Sequence, residues 1–177
     1  MNQKKLQIGI IGSAGKEEYS GKRPNDEIYK IAYKLGLLVA KTGAILITGG
    51  KTGIMEQAAK GAKKEGGCVI GVVKGAKRKT ANKYTDVEVV SGMEGGGEAS
   101  ILILSCDGII GVGGGAGTLQ ELTYAYRNGK PVVLINSQLG WSRNLAGKYL
   151  DDREITKFQT ASSPEKAVKM LFELIKP

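Results

Sequence analysis

The sequence predicts an α/β fold, a Rossmann-like three-layer αβα sandwich with a mainly parallel sheet of about seven strands. Two observations predict this class. Short apolar runs alternate with amphipathic stretches along almost the whole chain, and glycine clusters repeatedly stand where an apolar run gives way to a helical pattern. The 177 residues contain no linker, internal repeat or low-complexity block, so we expect a single domain over residues 1–177.

The strands are predicted from short apolar runs rich in valine and isoleucine, which favour a buried, pleated environment. They are placed at residues 6–11, 44–48, 68–73, 87–90, 108–112 and 132–135, with a short last strand at 158–160. Continuous apolar runs of this kind are typical of parallel strands that crossover helices cover on both faces. The sheet is therefore expected to lie between two helical layers.

The helices are predicted from apolar positions that recur at a spacing of three and four residues. This spacing occurs over residues 28–39, 54–62, 101–104, 118–127 and 164–175. Asn25 or Asp26 is available as the N-cap of the first helix, and the glycines at 66–67 end the second. The serines at 162–163, followed by Pro164, begin the last helix.

The chain contains no histidine, which excludes Ser-His-Asp and Cys-His catalysis and nearly every zinc or non-haem iron site. We therefore expect no metal, and no cofactor that the fold requires.

The two cysteines, Cys68 and Cys106, lie in apolar segments and are expected to be reduced core thiols of a cytoplasmic protein. No apolar stretch approaches the ~20 residues of a membrane span, so we expect no membrane partner.

The charge is strongly positive, with 26 Lys and Arg against 17 Asp and Glu, a net charge of +9. Part of it lies in a basic segment, residues 74–83, which holds Lys and Arg and no acid. Because this segment follows a strand, it is expected at the carboxyl edge of the sheet. It is either a solvated surface or a lid over an anionic ligand. Nucleic acid is disfavoured as a partner, because Tyr84 is the one aromatic beside the segment.

Three glycine clusters, at residues 12–15, 49–53 and 113–118, each separate a predicted strand from a helix. In a doubly wound sheet such loops gather at the carboxyl edge, where backbone N–H groups and helix N-termini favour a phosphate. Glycine is also common in strand-to-helix turns for steric reasons alone, but three clusters in register favour a ligand. The expected phosphate- or nucleotide-binding residues are Gly12, Ser13, Ala14, Gly49, Gly50, Gly53, Met55, Glu56, Gly113, Gly114, Gly115, Gly117 and Thr118.

Two named phosphate motifs do not fit these clusters. A Walker A motif would need glycine where Ile45 stands ahead of residues 50–52. Residues 111–116 formally match the GxGxxG/A dinucleotide pattern, but the first glycine lies inside a predicted strand. The next strand ends at Asn136, so the carboxylate that would hold a ribose hydroxyl is missing there.

Two carboxylates stand in the opening turns of helices that follow glycine clusters, Glu56 and Glu121. For Glu56, stabilisation of the helix dipole and contact with a ligand remain open alternatives. Glu121 is the candidate catalytic residue, because the glycine-rich loop ahead of it would place a ligand within its reach. A carboxylate beside a phosphate suggests that it addresses a hydroxyl, a sugar or a developing cation.

Residues 113–121, GGGAGTLQE, resemble the PGGxGTxxE signature of the LOG family, the cytokinin riboside 5′-monophosphate phosphoribohydrolases sometimes labelled lysine decarboxylases. Residues 49–56, GGKTGIME, resemble the GGxxGxM element of the same family, which belongs to the SLOG superfamily. Glycine in place of proline at Gly113, the loop at 95–98 and the short length are most similar to an uncharacterised prokaryotic branch. That branch includes molybdenum-cofactor carrier-like proteins.

The resemblance implies a Rossmann-like homodimer or higher homo-oligomer with a phosphorylated ligand over the glycine loops. In catalytic members, an arginine on the preceding helix and the signature glutamate, here Glu121, cleave an N-glycosidic bond. Ser100 stands about where that arginine is expected, and the nearest arginines downstream are Arg127 and Arg143. Losing the arginine weakens the hydrolase interpretation more than the binding interpretation.

The leading expectation is thus a protein that binds an AMP-like or molybdopterin-like phosphorylated ligand, as a carrier or sensor. The alternative is a nucleoside 5′-monophosphate phosphoribohydrolase that uses Glu121. A basic nucleic-acid-binding domain carries the least weight of the three.

Overall fold

The computed structural model describes residues 4–15, 24–136 and 140–175 of the chain. Strands and helices alternate along most of it. The strands are β1 (Gln7–Gly12), β2 (Ile45–Thr48), β3 (Val69–Val73), β4 (Val87–Val90), β5 (Gly108–Val112), β6 (Val132–Ile135) and β7 (Gln159–Ala161). The helices are α1 (Asp26–Lys41), α2 (Ile54–Lys64), α3 (Glu98–Leu104), α4 (Ala116–Arg127), α5 (Trp141–Leu145) and α6 (Pro164–Ile175).

The seven strands form one sheet in the order β4-β3-β2-β1-β5-β6-β7, and every neighbouring pair is parallel. The chain starts in the middle at β1, builds outward to β4, and then returns to place β5 on the other side of β1. This confirms the predicted Rossmann-like class. Because the direction of winding reverses between β1 and β5, a crevice opens at the carboxyl ends of these two strands.

The helices cover both faces of the sheet and form two hydrophobic cores. One core joins the strands to α1, α2 and α6, with Leu35, Ala58 and Leu171 fully buried. The other joins them to α3, α4 and α5, with Leu102 and Tyr126 at its centre. Every residue of β5 and β6 is buried, as the apolar runs predicted. Each large side chain so buried contributes roughly 1.5–3 kcal/mol to folding.

Helices α1 and α2 pack closely because each presents a glycine to the other. A Cβ at Gly36 would overlap the carbonyl oxygen of Ala58, and a Cβ at Gly61 would overlap that of Tyr33. These glycines therefore serve packing between helices on the face of the sheet, away from the glycine clusters that follow strands.

Most predicted elements are confirmed with ends within two residues. At α1, Asn25 is the N-cap, since its Oδ1 accepts from the N–H of Ile28 at 3.0 Å, and Asp26 is the first helical residue. Helix α5 was not predicted, and α3 extends back to Glu98, ahead of the apolar positions 101–104 that predicted it.

The two cysteines differ in their surroundings. Cys106 is buried, and burial raises the pKa of its thiol to about 12, which makes it unreactive. The prediction that Cys68 is also a core thiol was wrong, because Cys68 is exposed just ahead of β3. The apolar run that begins there enters the core one residue later, at Val69.

Candidate functional site

A cavity of about 380 Å³ lies in the crevice at the carboxyl ends of β1, β2 and β5. All three predicted glycine clusters contribute to its walls, and the loop ahead of α3 adds a fourth. The expected site residues that line it are Gly12, Ala14, Gly49, Met55, Gly115, Gly117, Thr118 and Glu121. The topology therefore brings together residues that are more than a hundred positions apart in the sequence.

Other expected site residues lie outside the cavity lining. These are Ser13, Gly50, Gly53, Glu56, Gly113 and Gly114. Several of them shape the loops instead. Gly114 has a φ of 97°, and a Cβ there would overlap the side chain of Thr118. A Cβ at Gly53 would overlap the backbone of Ala14 in the neighbouring loop. Gly53 lets two loops approach each other, and Gly114 lets its own loop turn back against Thr118, which is the steric explanation left open by the sequence.

Ser13 connects the three loops through hydrogen bonds and is fully buried. Its Oγ accepts from the N–H of Gly114 at 2.8 Å, and its carbonyl oxygen accepts from the N–H of Ile54 at 3.0 Å. Its own N–H donates to the carbonyl oxygen of Val112 at 3.3 Å. One residue after β1 therefore fixes both the start of α2 and the loop that leads into α4.

The N-terminus of α4 forms one wall of the cavity. Its N-cap, Gly115, makes no side-chain capping hydrogen bond, and the first N–H groups of a helix have no partner within the helix. A Cβ placed at Gly115 or Gly117 would meet nothing within 4 Å. Packing therefore does not require glycine at either position, in contrast to Gly12 and Gly53. The space that side chains would fill is open to a ligand whose anionic group faces the helix dipole.

Two carboxyl groups face the same cavity, Glu121 of α4 and Glu98 of α3. Burial, and then the negative charge of Glu98, raise the pKa of Glu121 to about 8, while Lys51 opposes the shift. Glu121 is thus mainly protonated at neutral pH. A neutral carboxyl does not repel a phosphate, and it can donate a hydrogen bond. Within the described residues, the Oε2 of Glu98 is buried without a hydrogen-bond partner, so it is an acceptor that a ligand donor could satisfy.

Helix α3 presents Glu98, and not Ser100, to the cavity. The Oγ of Ser100 donates to the carbonyl oxygen of Gly97 at 2.9 Å, a bond within the first turn of α3. Among the described residues, no arginine lines the cavity. Arg127 lines a neighbouring groove on α4, and in the described part of the chain the cationic side chain at the cavity is Lys51.

Several residues that line the cavity were not predicted from the sequence, among them Lys51, Gly96, Glu98 and Gln120. A signal for Glu98 was present, because it follows the glycines at 95–97 as Glu121 follows its own glycine cluster. Lys51 lies inside the second cluster itself. Gln120 carried no sequence signal. Its Nε2 donates to the carbonyl oxygen of Gly96 at 3.1 Å and joins α4 to the loop ahead of α3.

The basic segment, residues 74–83, is anchored at several points. The carboxylate of Glu88 on β4 accepts from the N–H groups of Lys79, Thr80 and Ala81 at 2.5, 2.7 and 2.9 Å. These hydrogen bonds, that of Lys79 first, lower the pKa of Glu88 to about 2. The Nδ2 of Asn82 donates to the carbonyl oxygens of Gly50 and Lys51, each at 3.0 Å. The contacts favour a fixed wall beside the second glycine cluster over a lid.

Within the described residues, no helix is long and apolar enough to span a membrane. The same ranges contain no group of three or more Cys, Asp or Glu side chains that could hold a metal ion.

A doubly wound parallel sheet whose carboxyl-edge loops enclose a glycine-lined cavity defines a Rossmann-like protein. The chain belongs to the SLOG cluster4 family, which matches residues 5–168. It is 40% identical to an uncharacterised protein of Archaeoglobus fulgidus over 130 residues. The matched region is 73% of this chain and 80% of that protein.

Two solved structures of similar proteins share this fold along nearly their whole length. The molybdenum cofactor binding protein from the phototrophic bacterium Rippkaea orientalis is 34% identical, with a TM-score of 0.83, covering 99% of this chain and 100% of that one. The molybdenum cofactor carrier protein from Chlamydomonas reinhardtii is 30% identical, with a TM-score of 0.81, covering 97% and 99%.

Replacing Ser13 by alanine removes the acceptor for the N–H of Gly114 and leaves that group buried and unpaired. We expect the free energy of unfolding to fall by about 1–3 kcal/mol, measured by urea denaturation. Ser105→Ala is the matched control, because the Oγ of Ser105 donates within α3 at an exposed position. An equal loss of stability in the two variants would contradict the role assigned to Ser13.

The raised pKa of Glu121 makes stability depend on pH. Because the folded protein holds this proton up to about pH 8 and the unfolded chain releases it near 4.5, the free energy of unfolding should fall between these values. The slope from this group is about 1.4 kcal/mol per pH unit. Glu121→Gln should remove that slope and gain stability relative to wild type as the pH rises from 4.5 to 8.

Denaturation midpoints measured from pH 4 to pH 9 test this expectation. Glu173→Gln on α6 controls for the loss of one exposed carboxylate. A difference between Glu121→Gln and wild type that stays constant over the whole range would show that Glu121 is not protonated in the folded protein.

Proposed function

We propose that this protein binds a phosphorylated small molecule, a nucleotide or nucleotide-like cofactor, and acts as its carrier or sensor. The N-terminus of α4 carries the proposal. Its first N–H groups have no side-chain cap. The space beside Gly115 and Gly117 is empty, because neither residue has a side chain and no other atom of the described residues lies within 4 Å of where a Cβ would be. The ligand's phosphate would accept from these N–H groups and gain from the helix dipole.

The similar carrier proteins support the molybdenum cofactor, a phosphorylated pterin, as the leading ligand class. The cavity supports a heterocycle of this kind, because protonated Glu121 can donate a hydrogen bond and Glu98 has an unpaired acceptor atom. Met55 and Leu102 add apolar surface against which a ring can lie. An AMP-like ligand has the same general chemistry, a phosphate joined to a heterocycle with N–H donors.

Mutation of the two open glycines separates binding from folding. Gly115→Val should weaken AMP binding at least about tenfold, because its side chain enters the proposed phosphate position, while the extended backbone there tolerates valine. Gly117→Ala should also weaken binding, yet raise the free energy of unfolding by about 0.5–1 kcal/mol, since alanine favours helix. Calorimetric titration with AMP and urea denaturation measure the two effects.

Unchanged affinity in a folded Gly115→Val variant would overturn the phosphate assignment. Native mass spectrometry of the protein as purified complements the titration, because a retained pterin or nucleotide would be identified by its mass. We expect the wild type to have the mass of the chain plus a bound ligand, and Gly115→Val to have the mass of the chain alone.

A phosphoribohydrolase is the second candidate, and the state of Glu121 favours it. A protonated carboxyl can act as a general acid toward the base that leaves when an N-glycosidic bond breaks. The lack of an arginine among the described cavity residues weakens this candidate.

Incubation with AMP and N6-substituted AMP tests the hydrolase directly. We expect no release of free base or ribose 5-phosphate above the level of Glu121→Gln. Release by the wild type alone would show that the protein is an enzyme that uses this carboxyl.

The remaining expectations are still predictions. A homodimer or higher oligomer would bury exposed apolar side chains such as Val87 of the edge strand and Leu104 of α3, which are 48% and 52% exposed. A cytoplasmic location and the low weight given to nucleic acid follow from composition alone.

A further inference from the structure

A second cavity, of about 450 Å³, adjoins the first. Gly49 and Lys51 line both cavities, so the two cavities meet at the second glycine cluster. The far side is formed by the end of β3 and the basic segment. The two cavities thus form one groove along the carboxyl edge, from the N-terminus of α4 to Lys77.

The second cavity has a surplus of positive charge. Among the described residues, three lysines line it, Lys51, Lys74 and Lys77, against a single acid, Glu94. The proposed function places one phosphate at α4 and uses neither Lys74 nor Lys77. An anionic group is the ligand chemistry that this lining would attract.

The wall that holds these lysines is fixed to the rest of the protein. The N–H of Gly75 donates to the carbonyl oxygen of Met93 at 2.6 Å, and the N–H of Gly92 donates to that of Gly75 at 3.0 Å. The anchors of Glu88 and Asn82, described above, hold the other end of the segment. Because the backbone is already ordered, an anion that binds here does not have to order the segment.

The sheet order sets the distance between the two anion positions. The loop ahead of α4 follows β5, and the basic segment follows β3, with β1 and β2 between them. Three strand spacings of about 4.8 Å place the two loops roughly 14 Å apart. Lysine side chains shorten this gap, but it remains longer than the separation of two directly bonded phosphates.

We propose, resting on the proposed function, that Lys74 and Lys77 form a second anion subsite for a ligand with two separated anionic groups. Such a ligand belongs to the class of nucleoside bisphosphates and dinucleotides. Its first phosphate binds at α4, its body passes Lys51, and its second anionic group enters the basic cavity.

Three adenine nucleotides test the subsite. ADP and adenosine 3′,5′-bisphosphate are isomers with the same phosphate content, but the phosphates are adjacent in ADP and on opposite sides of the ribose in the bisphosphate. By calorimetric titration, wild type should bind the bisphosphate about tenfold more tightly than AMP, and more tightly than ADP. This advantage should shrink as the salt concentration rises, because Lys74 and Lys77 are exposed.

The double variant Lys74→Ala/Lys77→Ala should reduce the advantage of the bisphosphate over AMP to within about threefold and leave the affinity for AMP itself unchanged. The matched control is Lys60→Ala/Lys64→Ala, which removes the same charge from an exposed face of α2 outside both cavities and should change neither affinity. Glu94→Gln should tighten binding of the bisphosphate, because it removes the opposing charge.

The possible failures are distinguishable. If wild type binds AMP, but binds the bisphosphate no more tightly than ADP, the second subsite is overturned and the proposed function stands. If the advantage survives in Lys74→Ala/Lys77→Ala, the second phosphate binds elsewhere, which also overturns the subsite. If wild type binds none of the three nucleotides, the subsite is overturned, and the proposed function fails with it if native mass spectrometry also shows no retained pterin or nucleotide.

Discussion

The structure of the site depends on one buried residue, Ser13, at the point where the winding of the sheet reverses. Its hydroxyl, N–H and carbonyl each bond to a different partner, Gly114, Val112 and Ile54. These bonds hold the loops after β1, β2 and β5 in one arrangement. Because the proposed cradle for an anion consists mainly of backbone groups, its shape depends on how the loops are held more than on which side chains line it.

The electrostatics of the groove follow from the same arrangement. A basic chain would be expected to surround a phosphate with lysine and arginine, yet the first cavity contains two carboxyl groups and Lys51. The helix N-terminus replaces side-chain cations there, and protonation of Glu121 removes a negative charge that would oppose an anion. Lysines gather instead at the second cavity, so the groove is polarised along its length.

The sheet, its order of helices and the glycine loops could be predicted because apolar periodicity and glycine clusters are local signals. The face of a helix that meets a cavity is set by tertiary packing, so spacing along the chain pointed to Ser100, whereas the side chain of Glu98 enters the site. The glycines illustrate the same limit. Gly53 and Gly117 belong to equivalent clusters, but only the structure shows that one is required by a neighbouring loop and the other faces open space.

The bond between Ser13 and Gly114 joins residues that are 101 positions apart. Parallel strands with long connections pair late, because the chain between them must first be organised. The groove therefore cannot form until β5 has been synthesised and has paired with β1, and the proposed ligand would bind only molecules that have completed this pairing. A cell that supplies the ligand would thereby stabilise the finished fold and leave incomplete chains unprotected.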